Sequence, residues 1–324
     1  MKNTMASLLA VAALVLAPAS CYPARESSNT ASPPPAVVHA ASTAPATSSK
    51  VPNYTFDQLY KSTTQLFDQM MYPNNVAQSQ SVNSTLFAEN VVGRIEQVRS
   101  FHGRQENTEW LFNIFTSNIL HPDIQGLFGV PLSYKIEKFA ANENIVAADI
   151  KINLNVSVIG ITAPLQMATF ITFDAAGAIS EYDMTFRYLE RNFQYLFQVA
   201  GQRSNLTAVS TGNYVTALIA ESVCGVASKY CTGAHQQYDS TAACVKFLSE
   251  EVGFGGADVL GSDNLICRMM HQTLVPSRPG VYCPAIGPTG GEGCSAKLQT
   301  QYLQIVTDPL FVNYPFVPYG YAAK

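Results

Sequence analysis

Residues 145–159 read IVAADIKINLNVSVI. The even positions Val146, Ala148, Ile150, Ile152, Leu154, Val156 and Val158 are apolar, while Asp149, Lys151, Asn153, Asn155 and Ser157 between them are polar. Alternation with a period of two belongs to a long, half-buried antiparallel strand with one wet face. On that reading Asp149 falls on the outer face and the inner face is wholly apolar. Just downstream, Leu165 to Phe173 reads as a second strand. Asp174-Ala-Ala-Gly177 is a hairpin turn with glycine at the strained position, and Ile179 to Tyr188 closes the sheet. Upstream, Tyr134 to Phe139 is a further short strand.

Towards the N-terminus the period changes to that of a helix. Phe56, Leu59, Tyr60, Thr63, Leu66, Phe67 and Met70 form one stripe of a helix that Tyr72-Pro73-Asn74 ends. Ser84 to Ile95 is a strand, and Phe101-His102-Gly103-Arg104 a turn. Glu106 to Ser117 is a second amphipathic helix, with Trp110, Leu111, Ile114 and Phe115 on its apolar face.

Helix, loop, helix and a curved antiparallel meander, ending Phe173-Asp174-x-x-Gly177-x-Ile179, resemble the NTF2-like superfamily over residues 53–197. That superfamily includes the SnoaL-like polyketide cyclases and the ketosteroid isomerases. The resemblance implies a cone: a bent sheet wrapped around helices, with an apolar pocket inside. In ring-processing members a carboxylate or histidine inside the cone moves a proton beside a carbonyl, which requires burial to tune its pKa. Asp183 stands near the position where cyclases carry an acidic closing strand, offset by a residue. His102 stands near the expected mouth. On the closing strand Asp183 shares a face with Glu181 and Thr185, opposite Tyr182, Met184 and Phe186. A solvated strand carboxylate and a turn histidine are the readings set against catalysis for these two, and His121-Pro122-Asp123 reads as a helix-terminating loop.

The C-terminal third is written differently. Tyr214 to Tyr230, Thr241 to Val252 behind an Asp239-Ser240 cap, and Asn264 to Leu274 read as helices. From Pro276 onward the chain is expected to be nearly free of regular structure, with Gly287 to Gly293 a turn segment. No named family is recognised in this part from its residues. The fold class is therefore α+β: an NTF2-like cone over 53–200, then a disulfide-stapled, mainly α-helical domain over 212–324.

Compartment follows from the other end. Lys2, the apolar run Ala6 to Leu16 and the small-x-small Ala17-Pro18-Ala19 make residues 1–19 a signal peptide. The run is too short to span a bilayer, and no later stretch is long enough. Residues 20–52, rich in Pro, Ser, Thr and Ala, form a linker that cannot bury enough surface to fold, and His39 within it is solvated. Sequons at Asn53, Asn83, Asn155 and Asn205 become glycosylation sites behind such a signal. Cys224, Cys231, Cys244, Cys267, Cys283 and Cys294 cluster in the last third, and an even cluster in an oxidising compartment implies three disulfides of open connectivity. Cys21 is left over at the cleavage junction.

Net charge is −4 with 13% charged and 47% hydrophobic residues, which supplies no basic stripe for nucleic acid and no Lys/Arg-rich interfacial helix. Cys267-x-x-x-His271 has a metal-like spacing, but disulfides consume the thiolates zinc needs, so neither metal nor cofactor is expected. The expectation is a secreted, non-catalytic glycoprotein of fungal style whose partner is a small apolar ligand or an extracellular protein. A secreted isomerase, cyclase or dehydratase using Asp183 or His102, and a structural cell-wall protein, are the competing readings. The aromatic, proline-rich tail around Tyr314 to Tyr321 is expected to pack across the body.

Overall fold

Threonine 55 caps the first helix for a local reason. Its Oγ1 accepts from Gln58 N–H at 3.2 Å, and Gln58 Oε1 accepts from Thr55 N–H at 2.8 Å. This reciprocal cap satisfies two donors that a helix end leaves open. Helix α1 (Phe56–Met70) then buries Leu59, Thr63, Leu66, Phe67 and Met70, the expected stripe. The structure is a computed structural model, and it describes residues 52–295 and 310–311. The signal peptide, nearly all of the linker, Cys21, His39 and the tail beyond Phe311 lie outside the described residues.

After α1 come α2 (Asn74–Ser81), β1 (Phe87–Ile95) and β2 (Arg99–His102). Next are α3 (Gly103–Thr108), a π-helical segment (Glu109–Asn113) and α4 (Ile114–Leu120). The remaining strands are β3 (Val130–Asn142), β4 (Ile145–Val156), β5 (Ile161–Phe173) and β6 (Ile179–Arg187). The sheet runs β2-β1-β6-β5-β4-β3, antiparallel throughout except for β1 beside β6. Register aligns the inner side chains in rows: Val146, Ile171, Tyr182 and Gly93, then Ala148, Thr169, Met184 and Ile95. Together with Phe67, Phe87, Phe112 and Trp110 from the helices, they form the core. Each such aliphatic or aromatic chain contributes about 1.5–3 kcal/mol on leaving water. The result is the expected α+β arrangement of a sheet packed against helices, and the long strand and closing hairpin lie where the alternation put them.

Gly93 is required by that packing. A Cβ there would lie 2.0 Å from Tyr182 Cζ and 2.3 Å from Asn107 Oδ1. The phenol of Tyr182 occupies the place of a side chain at residue 93.

Several local expectations need correction. The presumed turn at 101–104 is the end of β2 followed directly by α3, with Gly103 at φ +76 making the corner. The helix expected over 106–117 begins at 103 and carries a π segment. Strand β4 stops at Val156, and a short 3-10 turn takes 157–159. Asp149 has the outer register, yet is only 4% exposed, because Arg187 Nη1 at 2.8 Å and Gln166 Nε2 at 2.9 Å close over it. Helix α5 (Leu189–Ser204) runs through the presumed junction at Gly201.

The helices that follow are α6 (Ala208–Tyr230), α7 (Thr241–Glu250), α8 (Leu265–Gln272) and α9 (Pro279–Ile286). Ser240 caps α7 and Asn264 caps α8 through their side-chain oxygens. The α9 helix lies in the stretch expected to be irregular, since Pro279 at its first turn needs no N–H partner and Cys231–Cys283 ties it to α6. The other bridges are Cys224–Cys244 and Cys267–Cys294. Their Cα separations of 5.8, 5.6 and 5.8 Å all suit a disulfide. The glycine-rich turn after α9 wraps a buried cation: Arg268, 0% exposed, donates to the carbonyls of Asn264, Gly287 and Pro288. Sheet and helices pack as one compact unit. Among the described residues no helix is long and apolar enough to cross a membrane.

Candidate functional site

Asp183 sits on the outer face of β6, directly opposite Arg94 on β1. Its carboxylate accepts from Arg94 Nε at 3.0 Å and Nη2 at 2.5 Å, a bidentate ion pair at the surface rather than a base in the cone. His102 is exposed at the start of α3, where its backbone N–H donates to Glu106 Oε2 at 2.7 Å. The structure brings neither candidate to the other or to the interior. Asn53, Asn83 and Asn205 are exposed and Asn155 is half-buried.

The interior does hold ionisable groups, though not on the strands. Glu109, in the π segment, is 2% exposed. Its Oε2 accepts from the Tyr282 hydroxyl and from Arg278 Nη2, both on or beside α9, and its Oε1 accepts from Gln105 Nε2 at 3.2 Å. Burial, reinforced by the Glu109 charge, pushes the Tyr282 phenol well above its ordinary pKa. Neighbouring Trp110 stacks on Phe101 at 4.7 Å and meets the His271 ring edge-on at 5.0 Å. Burial lowers His271 to about 3, so it is neutral, and its Nδ1 lies 3.0 Å from the Cys267 carbonyl. That contact assigns the ring proton to Nδ1.

The enclosure of this helix explains why the helical stripe missed Glu109. Asn107 to Thr116 are all buried in succession, through the π segment and the α-helical turns on either side of it. A helix enclosed on every side has no wet face for a period of 3.6 to reveal. The only legible hint was a carboxylate placed directly before the Trp110-Leu111-Phe112 run.

Cys267, His271 and Cys294 gather three metal-type donors within 4.8 Å of one another. The two sulfurs are bonded to each other, which removes both thiolates from metal chemistry.

A cavity of another character opens between the end of β4, α5, α6 and α8. It holds about 560 Å³ and is walled by Phe193, Phe197, Leu218, Ile219, Ile266 and Met269. Its polar members are Gln125, Arg203, Ser204 and Tyr214, and its lining includes no Asp, Glu or His. Three other hollows, around Glu190 and Asp258, around Asp239, and around Glu89 and Asp174, each carry a carboxylate. None of the four reaches Glu109, Tyr282 or His271. An apolar slot with few polar groups has the character of a small-molecule site.

Fold and groove together define an α+β protein whose sheet carries a helical, disulfide-tied companion, with an apolar slot where the two meet. The chain belongs to the BfoA family: the BfoA N-terminal domain matches residues 64–184 and the BfoA family C-terminal domain residues 188–297. It is 38% identical over 244 residues to the Aurasperone B biosynthesis cluster protein A of two strains of Aspergillus niger, across 75% of this chain and 79% of theirs. The Bifonsecin B biosynthesis cluster protein A of Aspergillus brasiliensis is likewise 38% identical, across 75% of this chain and 81% of that one. Similar solved structures include a steroid delta-isomerase from Pseudomonas aeruginosa, 13% identical over 46% of this chain and 92% of that one, with a TM-score of 0.29. A SnoaL-like polyketide cyclase from Jannaschia is 11% identical over 41% of this chain and 88% of that one, with a TM-score of 0.30.

Proposed function

We propose that the protein binds, without transforming it, a small and mainly apolar product of a secondary-metabolite pathway, held in the groove between the cone and its helical companion. The observation that carries this reading is the groove itself, about 560 Å³ with aromatic and aliphatic walls and no carboxylate or histidine. Its size lies within the roughly 300–1,000 Å³ range of small-molecule sites. The relatives' names, which place them in biosynthesis clusters for aurasperone B and bifonsecin B, support the ligand's class. The signal segment read in residues 1–19 would carry this binding outside the cell, with the exposed sequons glycosylated.

Native mass spectrometry of the protein secreted from a fungal host, with extraction of whatever travels with it, tests the reading. A conjugated, aromatic small molecule released on denaturation is expected. Leu218→Asp puts a charge on the groove wall at a position already 40% exposed, so the fold tolerates it and the ligand does not. A wild-type protein that carries and takes up no such ligand overturns the proposal. The cyclase reading is tested alongside: turnover of a ligand by the wild type that Asp183→Asn abolishes would favour it over passive binding.

A further inference from the structure

We infer that Arg203 makes the groove selective for ligands that carry an anionic oxygen, such as an ionised phenol, an enolate or a carboxylate. The inference rests on the binding reading above and names the chemistry of what is bound. Arg203 is exposed near the C-terminal end of α5 and lines the groove. It is the one charged side chain among the groove's lining residues. Other arginines of the cone and its junction are already committed: Arg94 to Asp183, Arg99 to Glu106, Arg187 to Asp149, Arg278 to Glu109. Among the described residues no acidic side chain pairs with Arg203.

The guanidinium reaches the β4 end of the groove. Gly160, at φ +63 after the 3-10 turn that follows β4, lies beneath it, and a Cβ on that glycine would sit 2.7 Å from Arg203 Nη1. The positive φ is what favours glycine at 160, and the cation lies against its open face. Ser204 and the exposed Tyr214 add hydroxyls to the same lining, while Phe193, Phe197 and Leu218 supply apolar walls. A planar, largely apolar molecule with one acidic oxygen meets both requirements at once: its body leaves water and its charge meets the only cation. An unpaired guanidinium beside low-dielectric walls attracts an anion more strongly than one in open water.

The test uses the full secreted chain and two fluorescent probes of nearly equal shape, the anionic anilinonaphthalenesulfonate and the neutral phenylnaphthylamine. Arg203→Gln is expected to weaken the anionic probe about tenfold, the loss of one charge-assisted contact or about 1.4 kcal/mol, and to leave the neutral probe unchanged. Arg203→Lys should retain most of the anionic affinity, and added salt should weaken only the anionic probe. Equal effects on both probes, or none on either, overturn the role of Arg203 while leaving the groove as a binding site. Failure of the wild type to bind either probe overturns the binding reading and this inference with it.

Discussion

Glu109→Gln is the sharpest probe of how the helical companion is fastened to the cone. The carboxylate is 2% exposed and one of its oxygens accepts from both the Tyr282 hydroxyl and Arg278. Glutamine keeps the volume but not the charge, so Arg278 loses its counter-ion and an amide NH₂ competes for a position where only acceptors fit. Removing one partner of a fully buried pair costs about 3–5 kcal/mol. The Arg278 side chain is 32% exposed and recovers part of that from water, so about 2–3 kcal/mol is expected here. Tyr282→Phe loses a single hydrogen bond to a charged group, about 1.5 kcal/mol. Because the two changes strike one network, the double variant should cost less than their sum, with a coupling of about 1 kcal/mol. The assay is urea unfolding followed by tryptophan emission. Trp110, the protein's one tryptophan, is fully buried next to Glu109 and reports this junction directly. A Glu109→Gln midpoint indistinguishable from wild type, or strictly additive effects, would refute the idea that this buried ion pair fastens α9 to the π segment.

Two further expectations concern the same interior. His271 is held neutral at about 3 in the fold against an ordinary value of 6.5, so below pH 6.5 the unfolded chain binds the extra proton and the folded one does not. Stability should therefore fall as pH drops from about 6.5 towards 3, by up to about 1.4 kcal/mol per pH unit, and His271→Gln should flatten that slope between pH 6.5 and 5. A variant whose pH dependence parallels wild type sinks the assignment. Gly93→Ala should cost at least about 2 kcal/mol, because its methyl group meets the Tyr182 ring at 2.0 Å and strand register prevents either from moving away. A fully stable Gly93→Ala protein, measured by the same urea unfolding, would show that Tyr182 does not fill that place.

How far the residues alone reveal this molecule depends on whether the signal is periodic. Strand β4 and the α1 stripe were legible because each buries one face against the core, and burial enforces the period on the side chains. The helix α2, NNVAQSQS, carries no apolar stripe and was silent; it buries Asn75 and Ser79, and the Ser79 hydroxyl donates to Asn113 in the π segment. The α9 segment, PGVYCPAI, looked irregular because of its prolines, and only the Cys231–Cys283 tether and the fit of Tyr282 onto Glu109 make it a helix that matters. Asp149 shows the limit of pattern at a single residue: its register was read from alternation, whereas its burial came from Arg187, 38 residues further on.

Local order thus determined the α+β class, the cone's central strand, its closing hairpin and the cysteine-rich companion, since capping, turn chemistry and burial period act within a few residues. Long-range packing decided the rest. Which cysteines pair, where Glu109 finds its donors, and that α5, α6 and α8 leave an acid-free slot crossed by one arginine all depend on groups far apart in the chain. Charges and cavities are properties of juxtaposition, and juxtaposition between segments separated by a hundred residues leaves no period to read.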